Sequence, residues 1–314
     1  MFSSLSIPGA VPPPTVTVDS AVAWHYGDPF GEQRKLLSGV GNVDQSHRGV
    51  ISITGSDAKT FLNSLTTQEL LSLQPGQSAL TLDLNPQGFV LNELHVIATE
   101  NGLIVTTESD AKDTLLSYFQ KMKFRSQIEI ADVSKDFAVV WQPKNDVHEK
   151  YLTWVSPFVS QNNWPSREIL VPHDELAEVL GDGPCGMWAY EALRVEAEVP
   201  RFGFETDHRT IPHEVGWIET AVHLNKGCYR GQETVSKVER MGRPPRKLVR
   251  LLLDGSSDQM PVSKAEINLD GQLVGFVGLA VQHAVLGPIS SAVVKVNMAE
   301  DAVLQVGQFN AVIG

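Results

Sequence analysis

The chain has 314 residues, 42% of them hydrophobic and 20% charged, and a formal net charge of −12. This composition fits about two globular domains with a sizeable core and excludes a disordered chain, a coiled coil or a collagen. The acidic balance opposes non-specific contact with nucleic acid or anionic membrane, so any polyanion must meet a local basic patch.

Two cysteines, Cys185 and Cys228, stand far apart with no C-x-x-C, which argues against a thiolate zinc site or a redox pair. Such low cysteine use fits a reducing compartment. The first basic residue is Arg34, no apolar run follows Met1, and no stretch approaches the ~18 apolar residues of a membrane span. The expectation is a soluble, cytoplasmic protein with no membrane partner.

Residues 1–20 form a polar, Pro-rich lead, expected to be extended and flexible. Over 33–44, Leu36, Leu37, Val40 and Val43 recur at helical spacing, and Gly39 and Gly41 predict that this helix is short. A strand is predicted over 49–55, then a helix capped by Ser56 or Asp57 and carrying Phe61, Leu62 and Leu65. Strands at 79–84 and 89–98 flank a hairpin turn at 85–88. A strand at 103–107, a helix from Asp110 with Leu115, Leu116 and Phe119 on one face, and a strand at 128–133 follow. The style repeats with strands at 137–141 and 168–171, a helix from Asp174, and a helix over 187–195. Beyond Lys247 short alternating strands (248–253, 265–269, 273–279, 292–296) predict a small β-barrel. The fold class is therefore α+β. Residues 21–243 form one region of two interleaved α+β subdomains, the inner about 50–135, and 244–314 form the barrel.

No P-loop, dinucleotide fingerprint, zincin helix or nucleophile elbow is present. The informative stretch is 190–250. If 226–230 is extended, Lys226, Cys228 and Arg230 share a face, with Cys228 just before a helix that begins near Gly231. Two cations and a helix dipole would then favour the thiolate. The alternative is a small buried residue that happens to be cysteine. Glu196, Glu205, Asp207 and Glu214 interleave with Phe202, Phe204 and Trp217, a combination suited to a flat heterocycle with an N–H edge, or to a solvated acidic loop. Residues 222–250 hold eight Lys or Arg against Glu233 and Glu239. This basic island suits an anion such as a polyglutamate tail, a phosphate or RNA, or else a connector paired with acids elsewhere.

Lys226-Gly-Cys-Tyr-Arg-Gly-Gln-Glu233 resembles the K-G-C-[FY]-x-G-Q-E signature of the YgfZ family. Ser46-His-Arg-Gly49, Leu62-Asn-Ser-Leu-Thr-Thr-Gln68, Tyr190-Glu-Ala-Leu-Arg194, Glu205-Thr-Asp207 and Gly287-Pro288 extend the resemblance over about 33–296. The family is related to the glycine cleavage T-protein, a tetrahydrofolate-dependent aminomethyltransferase. The resemblance implies three domains around a central opening, a C-terminal β-barrel, a tetrahydrofolate pocket, and work on iron–sulfur clusters of client enzymes, including those that thiolate tRNA. It implies that Cys228 is the motif cysteine, with Lys226, Gln232 and Glu233 as the rest of a catalytic loop. The pterin-side glutamate maps onto Glu205, with Glu196 next, and Asn92, Glu93, Tyr229 and Arg230 complete the expected cofactor contacts.

Two departures matter. T-proteins carry an Asp-Asp pair on the hairpin where this chain has Asn92-Glu93, and Asp where it has Cys228. Both speak against aminomethyl transfer from a lipoyl carrier. In addition, Val294-Lys295-Val296 runs into an acidic tail where the YgfZ family often has a basic residue. Three functions follow: a folate-binding factor of iron–sulfur cluster assembly or repair, a folate-dependent one-carbon transferase with Glu93 as its acid, and a tRNA-binding module using the island at 226–250.

Overall fold

The computed structural model describes residues 2–257, 259–299 and 301–314. The chain opens with the Pro-rich lead, then α1 (Pro29–Leu37) and β1 (Val43–Asp44). An inner unit follows: β2 (Gly49–Thr54), α2 (Ala58–Leu65), β3 (Ser78–Leu84), β4 (Val90–Thr99), β5 (Gly102–Thr107), α3 (Lys112–Met122) and β6 (Glu129–Asp132). Its five strands form one antiparallel sheet in the order β3-β4-β5-β2-β6. One face is covered by α2 and α3, through Phe61, Leu62, Leu115 and Phe119.

The chain then resumes the first unit with β7 (Phe137–Gln142), β8 (Leu152–Val155), α4 (Val159–Asn162), β9 (Arg167–Pro172) and α5 (Leu176–Leu180). The sheet order β1-β7-β9-β8 pairs β1 with β7 across the whole inner unit. Helices α6 (Met187–Glu196), α7 (Trp217–Ala221) and α8 (Gln232–Met241) lead to the barrel: β10 (Arg246–Leu253), β11 (Glu266–Leu269), β12 (Gln272–His283), β13 (Gly287–Lys295), β14 (Leu304–Val306) and β15 (Phe309–Ile313). The six strands close in the order β10-β13-β12-β11-β14-β15, with β15 returning to β10. This is a mixed helix–sheet fold with a closed C-terminal barrel, as the α+β class anticipates. Among the described residues no helix is long and apolar enough to cross a membrane.

Three expectations are corrected. The helix placed over 33–44 runs from Pro29 to Leu37, because Asp28 caps it through Gly31 N–H at 2.8 Å, and Val43 belongs to a strand. The lead is docked: Phe2 and Ile7 pack on the cluster containing Val140 and Ile169, Val11 bridges His25, and Asp19 is 2% exposed. Its few apolar residues and one buried acid find fixed partners that composition does not show. The segment 226–230 is turned rather than extended, with Lys226 N–H donating to His223 O at 3.3 Å.

Candidate functional site

Helix α6 is buried along almost its whole length and carries Glu191 and Arg194 into the interior. Arg194 donates to Glu191 at 2.6 Å and reaches both oxygens of Glu205, at 3.1 and 3.2 Å. Glu205, 0% exposed, also accepts from Arg201 N–H at 2.8 Å and from the Ser291 hydroxyl on β13. Its acceptor sites are thus spent on bolting the 199–205 loop to α6 and the barrel. Arg201 in turn binds Glu108 at 2.8 and 2.9 Å, Asp19 at 2.7 Å and Glu191 at 2.7 Å. Burial alone would raise the Asp19 carboxyl; Arg201 and His47 hold it far below the usual range.

A second buried set joins the two sheets. His95 stacks on Trp154 with ring centroids 3.8 Å apart and planes 6° from parallel. Its Nδ1 lies 2.8 Å from Glu168 Oε2 and its Nε2 3.4 Å from Glu93 Oε1. Two flanking carboxylates favour the imidazolium: burial lowers the His95 pKa, but Glu168 and Glu93 together outweigh it and raise it. Glu93, the remaining acid of the hairpin pair, is further occupied by Phe202 N–H at 3.0 Å.

A cavity of about 380 Å³ opens between the end of α1, β7, the end of α6 and β10. Trp141 and Trp164 line it, with ring centroids 5.2 Å apart, together with Leu193, Glu196 and Arg250. Glu196 sits at the C-terminal end of α6, half-buried. His283 Nδ1 faces the N–H groups of Val285 and Leu286, which leaves its proton on Nε2, 3.2 Å from Glu196 Oε2. That contact, with Arg250 behind it, holds the Glu196 carboxyl below its ordinary value. Arg250 donates to Glu196 O at 2.7 Å, and its buried Nε has no partner among the described residues. The cavity thus offers aromatic walls, an ionised carboxylate and the Arg250 guanidinium, whose Nε is sealed from it.

The motif loop packs against the β3–β4 hairpin. Lys226 spends all three ammonium protons on carbonyls of Asn63, Thr66 and Gln68 at 2.5, 2.7 and 2.8 Å, where the C-terminal end of α2 favours a cation. Burial draws its pKa down to about 8, with the Glu69 carboxylate opposing. Arg230 binds Leu84 O and Asp83 Oδ1 and lies 4.7 Å over the Tyr118 ring. The two cations expected beside the thiol are therefore committed elsewhere. Cys228 itself is exposed, four residues before α8, which rules out the small-buried-residue reading. Tyr229 is buried, with its hydroxyl unpaired among the described residues, and burial pushes its pKa up to about 12. Gln232 reaches back to Lys226 O at 3.4 Å, and Glu233 is exposed on α8.

Asn92 and Arg230 meet in another cavity, of about 390 Å³, with Asp83, Tyr118 and Phe202. It shares no lining residue with the tryptophan cavity. The register pairs Asn92 with Asp83 across the hairpin, and the Asn92 amide donates to Asp83 Oδ2 at 3.0 Å. Burial pushes the Asp83 carboxyl up while Arg230 opposes it.

The structure thus brings Asn92 to Arg230, and Glu93 to neither. It separates Glu196 from Glu205, and leaves Cys228, Gln232 and Glu233 on the motif loop and α8. Sequence reasoning missed Asp83, Trp141, Trp164 and His283. None of these had a direct cue: a turn at 85–88 alone sets 83 against 90, and a register shift between Asp83 and Leu84 moves its partner to Asn92. Of the island's eight cations, Lys226, Arg230, Arg246 and Arg250 reach other elements and Arg240 bonds Ser236 O within α8; Arg246 binds Asp207 at 2.7 Å and Glu214 at 2.8 Å.

Residues 23–141 match the family model described as GCVT N-terminal domain. An aminomethyltransferase of Nostoc sp. is 27% identical over 86% of this chain and 80% of that protein. An aminomethyltransferase of Rippkaea orientalis is 30% identical over 71% of this chain and 70% of that protein. The glycine cleavage system aminomethyltransferase T of Bartonella henselae superposes with a TM-score of 0.80, covering 98% of this chain and 93% of that one at 19% identity.

Proposed function

We propose, because the chain belongs to the glycine cleavage T-protein family of aminomethyltransferases, that it is a tetrahydrofolate-binding member with a YgfZ-type role in assembling or repairing iron–sulfur clusters, including those of tRNA-thiolating enzymes. The observation that carries the folate reading is the tryptophan cavity. Its size falls in the ~300–1,000 Å³ range of small-molecule sites. Trp164, backed by Trp141, would lie against one face of a pterin, Glu196 would accept from its N–H edge, and the Arg250 guanidinium would face a carboxylate of the tail. Glu205, the first choice from the motif, has no acceptor left for a ligand, so the role passes to Glu196. Bound tetrahydrofolate would supply a nitrogen pair that carries one-carbon units.

Calorimetric titration with tetrahydrofolate under reducing conditions tests this. We expect one-to-one binding, weakened about fivefold or more by Glu196→Gln and by Trp164→Ala, since a charge-assisted hydrogen bond or a stacked ring is worth ~1–3 kcal/mol. Unchanged affinity in both variants overturns the assignment. The cluster reading rests on the K-G-C-Y-R-G-Q-E match and on the exposure of Cys228. In cells lacking the protein, iron–sulfur dehydratase activity should fall, and Cys228→Ser should bind folate normally yet fail to restore it. Full rescue by Cys228→Ser removes the cysteine from the function.

A second reading, a folate-dependent one-carbon transferase, is favoured by one feature. The acid that Asn92 no longer provides stands opposite it as Asp83. In that case Asp83→Asn, rather than Glu93→Gln, should abolish transfer from an amine donor. Binding of tRNA through the island would fall to Lys237, Arg240, Arg243 and Lys247, and should be salt-sensitive and weakened by Arg243→Ala.

A further inference from the structure

The cavity bounded by the β3–β4 hairpin, α3 and Arg230 has no part in the folate reading. Its walls are largely apolar, from Leu91, Leu115, Tyr118 and Phe202. Set into them are three charges of both signs, Asp83, Asp110 and Arg230, and one amide, Asn92. Asn92 is 7% exposed and its nitrogen is spent on Asp83. Among the described residues its oxygen accepts no hydrogen bond, and it is not one of the sealed, unpaired atoms of the interior, so it is open to the cavity. Arg230 uses Nε and one terminal nitrogen on Leu84 and Asp83, which leaves the other terminal nitrogen unpaired with a third of the side chain exposed. Asp110 is exposed at the start of α3 and carries no ion pair among the described residues.

We propose that this cavity is a second ligand site, for a zwitterion with an apolar side chain, that is, a free α-amino acid. Its carboxylate pairs with the spare N–H groups of Arg230. Its ammonium is held by Asp110 and the Asn92 amide oxygen. Its side chain lies against Phe202, Tyr118 and Leu91. A simple anion would leave Asp110 and the amide oxygen unanswered, and a simple cation would leave the spare terminal nitrogen of Arg230 without an acceptor. Only a ligand bearing both charges answers the spare donor of Arg230 together with the free acceptors of Asp110 and Asn92.

Titration of the full chain with L-phenylalanine tests this, with 3-phenylpropanoate (no ammonium) and 2-phenylethylamine (no carboxylate) as matched controls. The expected result is saturable binding of L-phenylalanine, with each control weaker by at least about tenfold, the cost of losing one charge-assisted contact. Asp110→Asn, at an exposed position that leaves the fold intact, should weaken L-phenylalanine about tenfold and leave tetrahydrofolate binding unchanged. Arg230→Gln should reduce discrimination between L-phenylalanine and 2-phenylethylamine. No saturable heat with L-phenylalanine up to about 10 mM, a control binding as tightly, or an Asp110→Asn titration identical to the parent would each overturn the proposal. Because the folate titration uses a cavity with no shared wall, failure of one proposal does not entail failure of the other.

Discussion

Lys226 shows how a motif residue can be fixed by its backbone partners. Its ammonium closes three carbonyls at the end of α2, so Lys226→Met leaves three acceptors without their donor. We expect a loss of about 2–3 kcal/mol, read from the urea midpoint, with the folate titration little changed. Sequence alone made Lys226 a neighbour of the thiol, because the two-residue period of a strand was assumed where the chain turns. The same scale explains Glu205 and Glu196. Both were legible as carboxylates near aromatic residues, but which one faces a cavity depends on Arg194 and Ser291, which approach Glu205 from another helix and from the barrel. No local pattern carries that information.

The hairpin and the motif loop form a single contact between elements. Gly231 has φ +83°, and a Cβ there would lie 2.7 Å from Asn85 O and 2.9 Å from the Gly88 Cα. Gly231→Ala therefore combines left-handed strain with a backbone clash, and about 2–4 kcal/mol of destabilisation is expected in thermal unfolding. The same variant should shift Arg230 away from Asp83 and weaken ligand binding in the cavity they share. Elements with strong periodicity, such as α2, α3, α6 and the β3–β4 hairpin, were legible from their apolar spacing and turn residues. The two-residue β1, the short β8 and the closing strands β14 and β15 were not. Their existence is decided by long-range pairing, and two to five residues carry too little alternation to announce it.

Across the whole molecule, buried charge couples the units and sets a pH window. The carboxyls of Asp19 and Glu108 are held below their ordinary values by Arg201, and that of Glu168 is held at about 2 by Arg48 and His95, all against the upward push of burial. Depressed carboxylates give their full stabilisation above about pH 4.5 and lose it as the pH falls through their folded values. His95 has the opposite sign: its raised pKa stabilises fully below about pH 6.5 and is lost as the pH rises through the folded value. Thermal stability should therefore peak between roughly pH 4.5 and 6.5 and decline on both sides, and His95→Gln should flatten the alkaline side only. Arg201→Met would strand Glu108 and leave Asp19 with His47 and Glu191 with Arg194 as their remaining partners, and a loss of about 3–5 kcal/mol in denaturant unfolding is expected.

The pairing of β1 with β7 around a complete inner unit also bears on how the chain matures during synthesis. The inner sheet is contiguous and can close once β6 has left the ribosome. By contrast, β1 must wait for β7, and Asp19 must wait longer still, until Arg201 has emerged. The first residues to be made are thus among the last to be locked in place. A nascent chain stalled before Arg201 should carry a protease-sensitive amino terminus beside an already resistant inner unit.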